Sequence, residues 1–151
     1  MTFENPVFAT YAIAATLMIL KMMGQGWITV QRMMSVGGGF LNPEDEGRGW
    51  ANPKPRPGQL EPDDSVERSR RMHRNDTENI PVFLVAGLLF VATGPALWVA
   101  QCLLFGYVAS RLAHFWAYFT AKPHEVRAVL FTIGSLIVIG MAVYTLIYAV
   151  T

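Results

Sequence analysis

Long apolar segments constrain the fold of this chain more than any other feature. Crossing the hydrocarbon core of a bilayer takes about 20 helical residues. Four predicted helices meet that length, at residues 6–30, 65–93, 95–119 and 127–148. Of the 151 residues 52% are hydrophobic and 15% are charged, whereas soluble domains carry about 25% charged residues. The sequence therefore predicts an all-α integral membrane protein, a single domain over residues 1–151 built as a bundle of four transmembrane helices.

The segment between the first two helices, residues 31–64, is rich in glycine and proline. Such clusters interrupt helices and strands, so this segment is predicted to be a loop. It is either a flexible connector or an ordered loop that contributes to a site. Asp64 is the predicted N-cap of the second helix, because Glu67 follows three residues later in a pattern typical of a capping box.

Basic residues are distributed unevenly between the two sides of the predicted bundle. Ten of the twelve lie in residues 31–79 or in the turn between the third and fourth helices, and none lies near either terminus. The positive-inside rule places both basic loops in the cytoplasm and both termini outside. The formal net charge of +1 gives no electrostatic reason to expect nucleic-acid binding.

Polar side chains form a stripe on each of two predicted helices. At about 3.6 residues per turn, positions i, i+3, i+4 and i+7 share one helix face. The stripe on the second helix consists of Arg71, Arg74, Asn75 and Glu78, and the stripe on the third consists of Arg111, His114 and Tyr118. Polar groups at membrane depth are energetically expensive and are usually functional. We therefore expect a cytoplasm-facing pocket for a peptide-like ligand that carries carboxylates and an ammonium group.

Several of these charges also have a purely structural interpretation. The arginines would then be anchors to lipid headgroups, and Arg111 would be neutralised by an ion pair with Asp76 or Glu78. Lys21, inside the first helix, either extends its ammonium group toward an interface or pairs with an acid in the bundle interior.

Other kinds of site find little support. His73, His114 and His124 have no neighbouring Cys or acid at metal-ligand spacing, so no metal site is predicted. The glycines at 37–39 lack the Gly-Lys-Ser/Thr ending of a phosphate loop. A small transporter is disfavoured because the sequence contains no internal repeat.

Several segments resemble the MAPEG family, the membrane-associated proteins in eicosanoid and glutathione metabolism. Residues 66–80 resemble its V-E-R-x-x-R-x-H-x-N-D-x-E-x-I signature, residues 42–45 its N-P-E-D loop, and residues 111–118 its R-x-x-H-x-x-A-Y segment. Lys21-Met22 and Val126-Arg127-Ala128 also fit. The similarity extends over essentially the whole chain, in order.

The resemblance implies a homotrimer of four-helix bundles that binds glutathione between neighbouring subunits. The second substrate would come from the lipid phase, as a lipophilic electrophile or a lipid hydroperoxide. The positions carried over as glutathione contacts are Arg32, Arg71, Arg74, Asn75, Glu78, His114, Tyr118 and Arg127. Arg127 would be the catalytic residue, because a guanidinium beside the sulfur favours the reactive thiolate.

The resemblance also bears on the type of reaction. In the prostaglandin isomerases of the family a Ser follows this Arg and an aromatic hydroxyl lies one turn later, whereas here these positions are Ala128 and Phe131. We therefore expect glutathione transferase activity with possible peroxidase activity. A prostaglandin E synthase-type isomerase and a non-catalytic membrane scaffold or regulator that binds glutathione are the alternatives. The membrane would be the endoplasmic reticulum in a eukaryote or the inner membrane in a bacterium.

Overall fold

Four α-helices account for most of the chain in the computed structural model, which describes residues 2–151. The helices are α1 (Pro6–Val36), α2 (Asp64–Ala92), α3 (Leu97–Phe119) and α4 (His124–Val150). A short 3₁₀ helix, Pro43–Glu46, interrupts the loop between α1 and α2. Residues 2–151 contain no β-strand, and the all-α prediction is confirmed.

The first helix begins where predicted and ends later. The side-chain oxygen of Asn5 accepts the backbone N–H groups of Val7 at 2.9 Å and of Phe8 at 3.2 Å, which caps the N-terminus of α1. The helix continues six residues beyond the predicted end at residue 30, to Val36, and Gly37 is its C-cap. Gly37 has φ 60°, a left-handed conformation that glycine adopts without steric cost.

The N-cap of α2 is Asp63, so the predicted cap, Asp64, is wrong and is instead the first helical residue. The Asp63 carboxylate accepts the N–H groups of Ser65 at 2.9 Å and Val66 at 3.1 Å. The Ser65 hydroxyl also donates to this carboxylate, at 2.5 Å. These hydrogen bonds, that of the Ser65 hydroxyl first, hold the pKa of Asp63 below its usual value.

The start of α4 differs from the prediction in a way that matters for the site. The helix begins at His124, directly after Pro123, and not at residue 127. Arg127 therefore lies in the first turn of α4, next to the short turn that follows α3. The third helix starts at Leu97, two residues later than predicted, because Gly94 with φ 70° and Pro95 form the preceding turn.

The α2–α3 pair forms the centre of the bundle. The first helix packs against α2 and α3, α4 packs against the same two helices, and α1 and α4 do not pack together in the described residues. At the centre, the rings of Phe83 and Tyr107 stack with their centroids 3.9 Å apart. The buried core comprises Ala14, Met18, Ile80, Phe83, Phe90, Val91, Ala100, Leu104, Tyr107, Val108 and Met141.

The loop between α1 and α2 is folded against the end of α1 and is held by side-chain hydrogen bonds, as expected for an ordered loop. The guanidinium of Arg56 donates to the carbonyl oxygen of Gly37 at the C-terminus of α1. The side-chain amides of Asn52 and Gln59 bond reciprocally, at 2.8 and 3.2 Å, and both residues are buried. Polar groups inside the loop thus satisfy one another.

The outer surface of the bundle is apolar. By length and composition, α1 and α4 are each able to cross a membrane. Only Gly134 and Met141 of α4 are buried, and large hydrophobic side chains are exposed on all four helices. Cys102, the single cysteine, is exposed on α3.

Candidate functional site

A small polar cavity lies where the first turns of α2 meet the turn between α3 and α4. Its volume is about 170 Å³. It is lined by Arg68, Arg71, Tyr118, Ala121, Lys122 and Arg127. We call it the Arg127 cavity. Four of its six lining residues are cationic and none is acidic, so its electrostatics favour an anionic group.

Three of the predicted site residues form a continuous row in this region. The guanidinium carbon of Arg127 lies 4.7 Å from the centre of the Tyr118 ring. The ring of His114 packs edge-on against Tyr118 with a centroid separation of 5.0 Å. Arg127 Nε and His114 Nδ1 are both buried and have no hydrogen-bond partner among residues 2–151. A polar ligand would satisfy such groups.

The buried charges pair differently from the prediction. Asp76 forms its ion pair with Lys21 of α1, and Arg111 forms no ion pair within residues 2–151. The predicted Arg111–Asp76 ion pair is therefore wrong. Arg111 instead donates from Nη1 to the side-chain oxygen of Asn75, at 2.9 Å. Of the two interpretations of Lys21, the interior ion pair is the correct one.

The polar stripe of α2 is divided between two sides of the helix. Arg74 does not line the Arg127 cavity but a second cavity of about 460 Å³, which we call the Arg74 cavity. This cavity is lined by Gly26, Thr29, Val30, Leu41, Arg70, His73, Arg74 and Thr77. Glu78 is exposed and forms no ion pair with any described residue. One chain therefore does not bring Arg71 and Arg74 into a single pocket.

Arg32 belongs to α1 and not to the loop in which it was predicted. Its guanidinium donates to the backbone oxygen of Ser65 at 2.8 Å and lies 5.1 Å from the centre of the Phe119 ring. Arg32 thus joins the polar ends of α1, α2 and α3. It lines neither of the two cavities.

Sequence reasoning missed two cationic lining residues and a further cavity. Arg68 and Lys122 contribute to the Arg127 cavity, although Arg68 lies within the helix-two signature. A loop cavity of about 410 Å³ separates the C-terminal part of α1 from residues 40–52. Asp45 and Arg48 line it together with exposed Trp50. The N-P-E-D segment was the sequence signal that could have indicated this cavity.

Residues 2–151 hold no cluster of three or more His, Cys, Asp or Glu side chains that could bind a metal ion. The polar side chains that line the Arg127 cavity carry guanidinium, ammonium and phenol groups. These groups bind and stabilise anions through charge-assisted hydrogen bonds.

Known proteins resemble this chain over nearly its whole length. The model of the MAPEG family matches residues 10–147. Microsomal glutathione S-transferase 1 of Bos taurus is 37% identical over 139 residues, which cover 92% of this chain and 88% of that protein. The Homo sapiens protein of the same name is 37% identical over 142 residues, with the same coverage. Prostaglandin E synthase of Homo sapiens is 31% identical over 146 residues, which cover 97% of this chain and 92% of that protein.

Proposed function

This chain belongs to the MAPEG family, and from that premise we propose that it is a membrane-bound glutathione transferase. It conjugates the glutathione thiolate to lipophilic electrophiles, and it also reduces lipid hydroperoxides with glutathione. The relatives named microsomal glutathione S-transferase 1 support a glutathione-dependent reaction.

The observation that carries the proposal is the position of Arg127. Its guanidinium sits in the first turn of α4, over the Tyr118 ring and inside a cavity lined by three other cations. A thiol held there ionises more readily, because the nearby positive charges stabilise the thiolate. The thiol proton passes to water. In conjugation, the sulfur then forms a bond to the electrophilic carbon while the leaving group departs with the bonding electrons.

Reduction of a hydroperoxide uses the same thiolate. The sulfur attacks the terminal peroxide oxygen, the O–O bond breaks, and the alcohol leaves with a proton. A second glutathione then converts the sulfenic acid to the disulfide and releases water. Two thiols are oxidised for each hydroperoxide reduced, so no further reductant is needed.

The small size of the Arg127 cavity supports a site shared between subunits. Ligand pockets commonly have volumes of about 300–1,000 Å³, whereas the Arg127 cavity has about 170 Å³. Two further predicted contacts on α2, Arg74 and Glu78, are exposed and do not line it. In a homotrimer, the Arg127 cavity of one subunit would face the exposed part of the α2 stripe on its neighbour. Arg71, Asn75, His114 and Tyr118 would then complete the glutathione contacts.

The arrangement in the membrane follows from the distribution of charge. Four helices would cross the bilayer, with the site on the cytoplasmic side where the basic residues lie. The apolar outer surface would contact lipid. A groove of about 780 Å³ between α2 and α4, lined almost entirely by apolar side chains, offers a route for a lipophilic substrate. The membrane would be the endoplasmic reticulum or a bacterial inner membrane.

Prostaglandin isomerisation is the second candidate, since human prostaglandin E synthase is a relative. Residues 128 and 131 weigh against it. Ala128 and Phe131 carry no hydroxyl group. The Phe131 ring lies 5.7 Å from the Arg111 guanidinium and presents an apolar surface to it.

Turnover by purified protein tests the proposal. Conjugation of 1-chloro-2,4-dinitrobenzene releases chloride, and reduction of a lipid hydroperoxide consumes glutathione. We expect both activities in the wild type and a loss of about 100-fold or more in kcat for Arg127→Ala, the effect of removing a group that stabilises a reacting anion. Lys54→Ala, on the exposed surface of the loop, is the matched loss of a cation and should behave as wild type.

Absence of both activities, with glutathione still bound, would instead identify an isomerase or a non-catalytic glutathione-binding scaffold. Turnover of prostaglandin H2 by the same preparation separates these two outcomes.

A further inference from the structure

We propose that Arg111 is a positioning residue: it fixes the side-chain amide of Asn75 so that the NH₂ group faces the ligand and binds a carboxylate of glutathione. The inference rests on the proposed function and adds to it a direction for one hydrogen bond. Three observations carry it, namely the chemistry of arginine, the confinement of Arg111 and the free donor on Asn75.

The chemistry of arginine fixes which end of the amide it contacts. A guanidinium has only N–H donors and no acceptor. The Asn75 atom that lies 2.9 Å from Arg111 Nη1 must therefore be the amide oxygen. With its oxygen facing Arg111, the Asn75 amide directs its NH₂ group away from the Arg111 guanidinium.

The close packing around Arg111 favours its bond to Asn75. Its side chain is 1% exposed, and its guanidinium carbon lies 5.7 Å from the ring centres of both Tyr107 and Phe131. A Cβ at Gly134 of α4 would lie 3.5 Å from Arg111 Nε, which shows how closely α4 covers the guanidinium. The nearest carboxylate, Asp76, is already paired with Lys21. Asn75 is the acceptor that remains.

The NH₂ group of Asn75 donates to no residue between 2 and 151, and the side chain is half-buried. Glu78, one turn further along α2, is exposed and offers only acceptor oxygens at neutral pH. Donor and acceptor thus alternate along the helix, which suits a carboxylate at Asn75 and an ammonium at Glu78. If the amide were rotated so that its NH₂ group faced Arg111, Asn75 would present its oxygen, a second acceptor, beside Glu78.

The test uses glutathione and two analogues, each with one of the two carboxylates converted to an amide. Asn75→Ala should weaken glutathione binding about tenfold or more, the usual effect of losing a hydrogen bond to a charged group. The loss should disappear for the analogue that lacks the carboxylate bound by Asn75. Equal losses for all three ligands would show that Asn75 binds neither carboxylate and would overturn the inference.

A double-mutant cycle tests the part played by Arg111. Arg111→Met should reduce glutathione affinity with the same dependence on the analogues, and Arg111→Lys, which still donates to the Asn75 oxygen, should restore it at least partly. The Arg111→Met/Asn75→Ala variant should bind no more weakly than Asn75→Ala alone. A merely structural role would instead give losses that add, and additive losses would overturn the proposal.

Asn75→Asp keeps the test valid if the Arg111 variants do not fold. This change is isosteric and retains an acceptor for Arg111, but it removes the NH₂ donor. We expect the affinity to fall as in Asn75→Ala, and wild-type affinity in Asn75→Asp would contradict the inference. A wild-type protein that binds no glutathione would overturn the proposed function and this inference together, whereas wild-type binding with additive losses would overturn the inference alone.

Discussion

Lys21 of α1 and Asp76 of α2, separated by 55 positions in the chain, form an ion pair inside the bundle. The Asp76 side chain is fully buried, and that of Lys21 is 9% exposed. One carboxylate therefore lies among two interior cations, since Arg111 is buried nearby. Its removal has different consequences from the removal of either cation.

Replacing Asp76 should destabilise the protein more than replacing Lys21. Asp76→Asn leaves two buried cations without a counter-charge, and breaking a buried pair in this way costs about 3–5 kcal/mol. Lys21→Met leaves Asp76 close to Arg111, so the loss should be smaller. Thermal unfolding in detergent measures both, with Lys54→Ala as the control. Equal losses, or a larger loss for Lys21→Met, would contradict this arrangement.

Tyr118 should support catalysis mainly through its ring. The ring lies 4.7 Å from the Arg127 guanidinium, and such a contact is worth about 0.5–2 kcal/mol. Tyr118→Leu should therefore reduce kcat/KM by several-fold or more. Tyr118→Phe keeps the ring and should retain most of the activity. If both variants lose activity equally, the hydroxyl is the important group and the ring contact is secondary.

Two glycines of α4 should respond in opposite directions to alanine. A Cβ at Gly134 would lie 2.8 Å from the Ser110 hydroxyl, which is held by a hydrogen bond to the Tyr107 carbonyl. Overpacking of this kind costs about 1–3 kcal/mol. A Cβ at Gly140 meets nothing within 4 Å, so Gly140→Ala should be neutral or stabilising by about 0.5–1 kcal/mol through helix propensity.

Unfolding temperatures of the two variants check this contrast. Adding Ser110→Ala to Gly134→Ala should recover part of the lost stability, because it removes the clashing oxygen. If the unfolding temperature does not recover, the strain lies elsewhere in the α3–α4 interface.

The charge on Asp63 should make stability depend on pH at the acidic end. Hydrogen bonds lower its pKa in the folded protein below the ordinary value of 3.8. Its contribution to the free energy of unfolding is therefore complete at pH values well above 3.8, and it is lost as the pH falls through the lower folded pKa. Asp63→Asn keeps an N-cap without the charge, and its stability deficit at pH 7 should vanish at low pH. A deficit that does not change with pH would contradict this linkage.

The helices were largely predictable from the sequence because their signals are local. Four long apolar segments and the Gly94-Pro95 turn fixed the number of helices, and α2 was predicted within one residue at either end. The C-terminal extension of α1 was missed because Gln31 and Arg32 resemble the start of a polar loop. The helix continues until Gly37 supplies a left-handed residue and the Arg56 side chain caps the carbonyl groups.

Side-chain pairing was less predictable, because it depends on how helices rotate against one another. Periodicity places Asp76 in the interior of the bundle but does not distinguish Lys21 from Arg111 as its partner. It likewise groups Arg71 with Arg74, which are about 60° apart around the helix axis. That rotation is enough for the two side chains to line different cavities. Only the packing of α1, α3 and α4 around α2 decides between these arrangements.

The bond between Arg111 and Asn75 also constrains how the chain enters its membrane. An arginine in the middle of a helix makes insertion unfavourable by about 2.5–3.5 kcal/mol. The partner of Arg111, Asn75, lies on α2, which leaves the ribosome before α3. In the other buried pair, Lys21 on α1 is synthesised before Asp76 on α2. Arg111 and Asp76 thus each meet a partner that has already been synthesised, whereas Lys21 is synthesised before its partner. Insertion from the N-terminus onward would therefore leave Lys21 without its counter-charge until α2 follows, whereas Arg111 would find Asn75 in place.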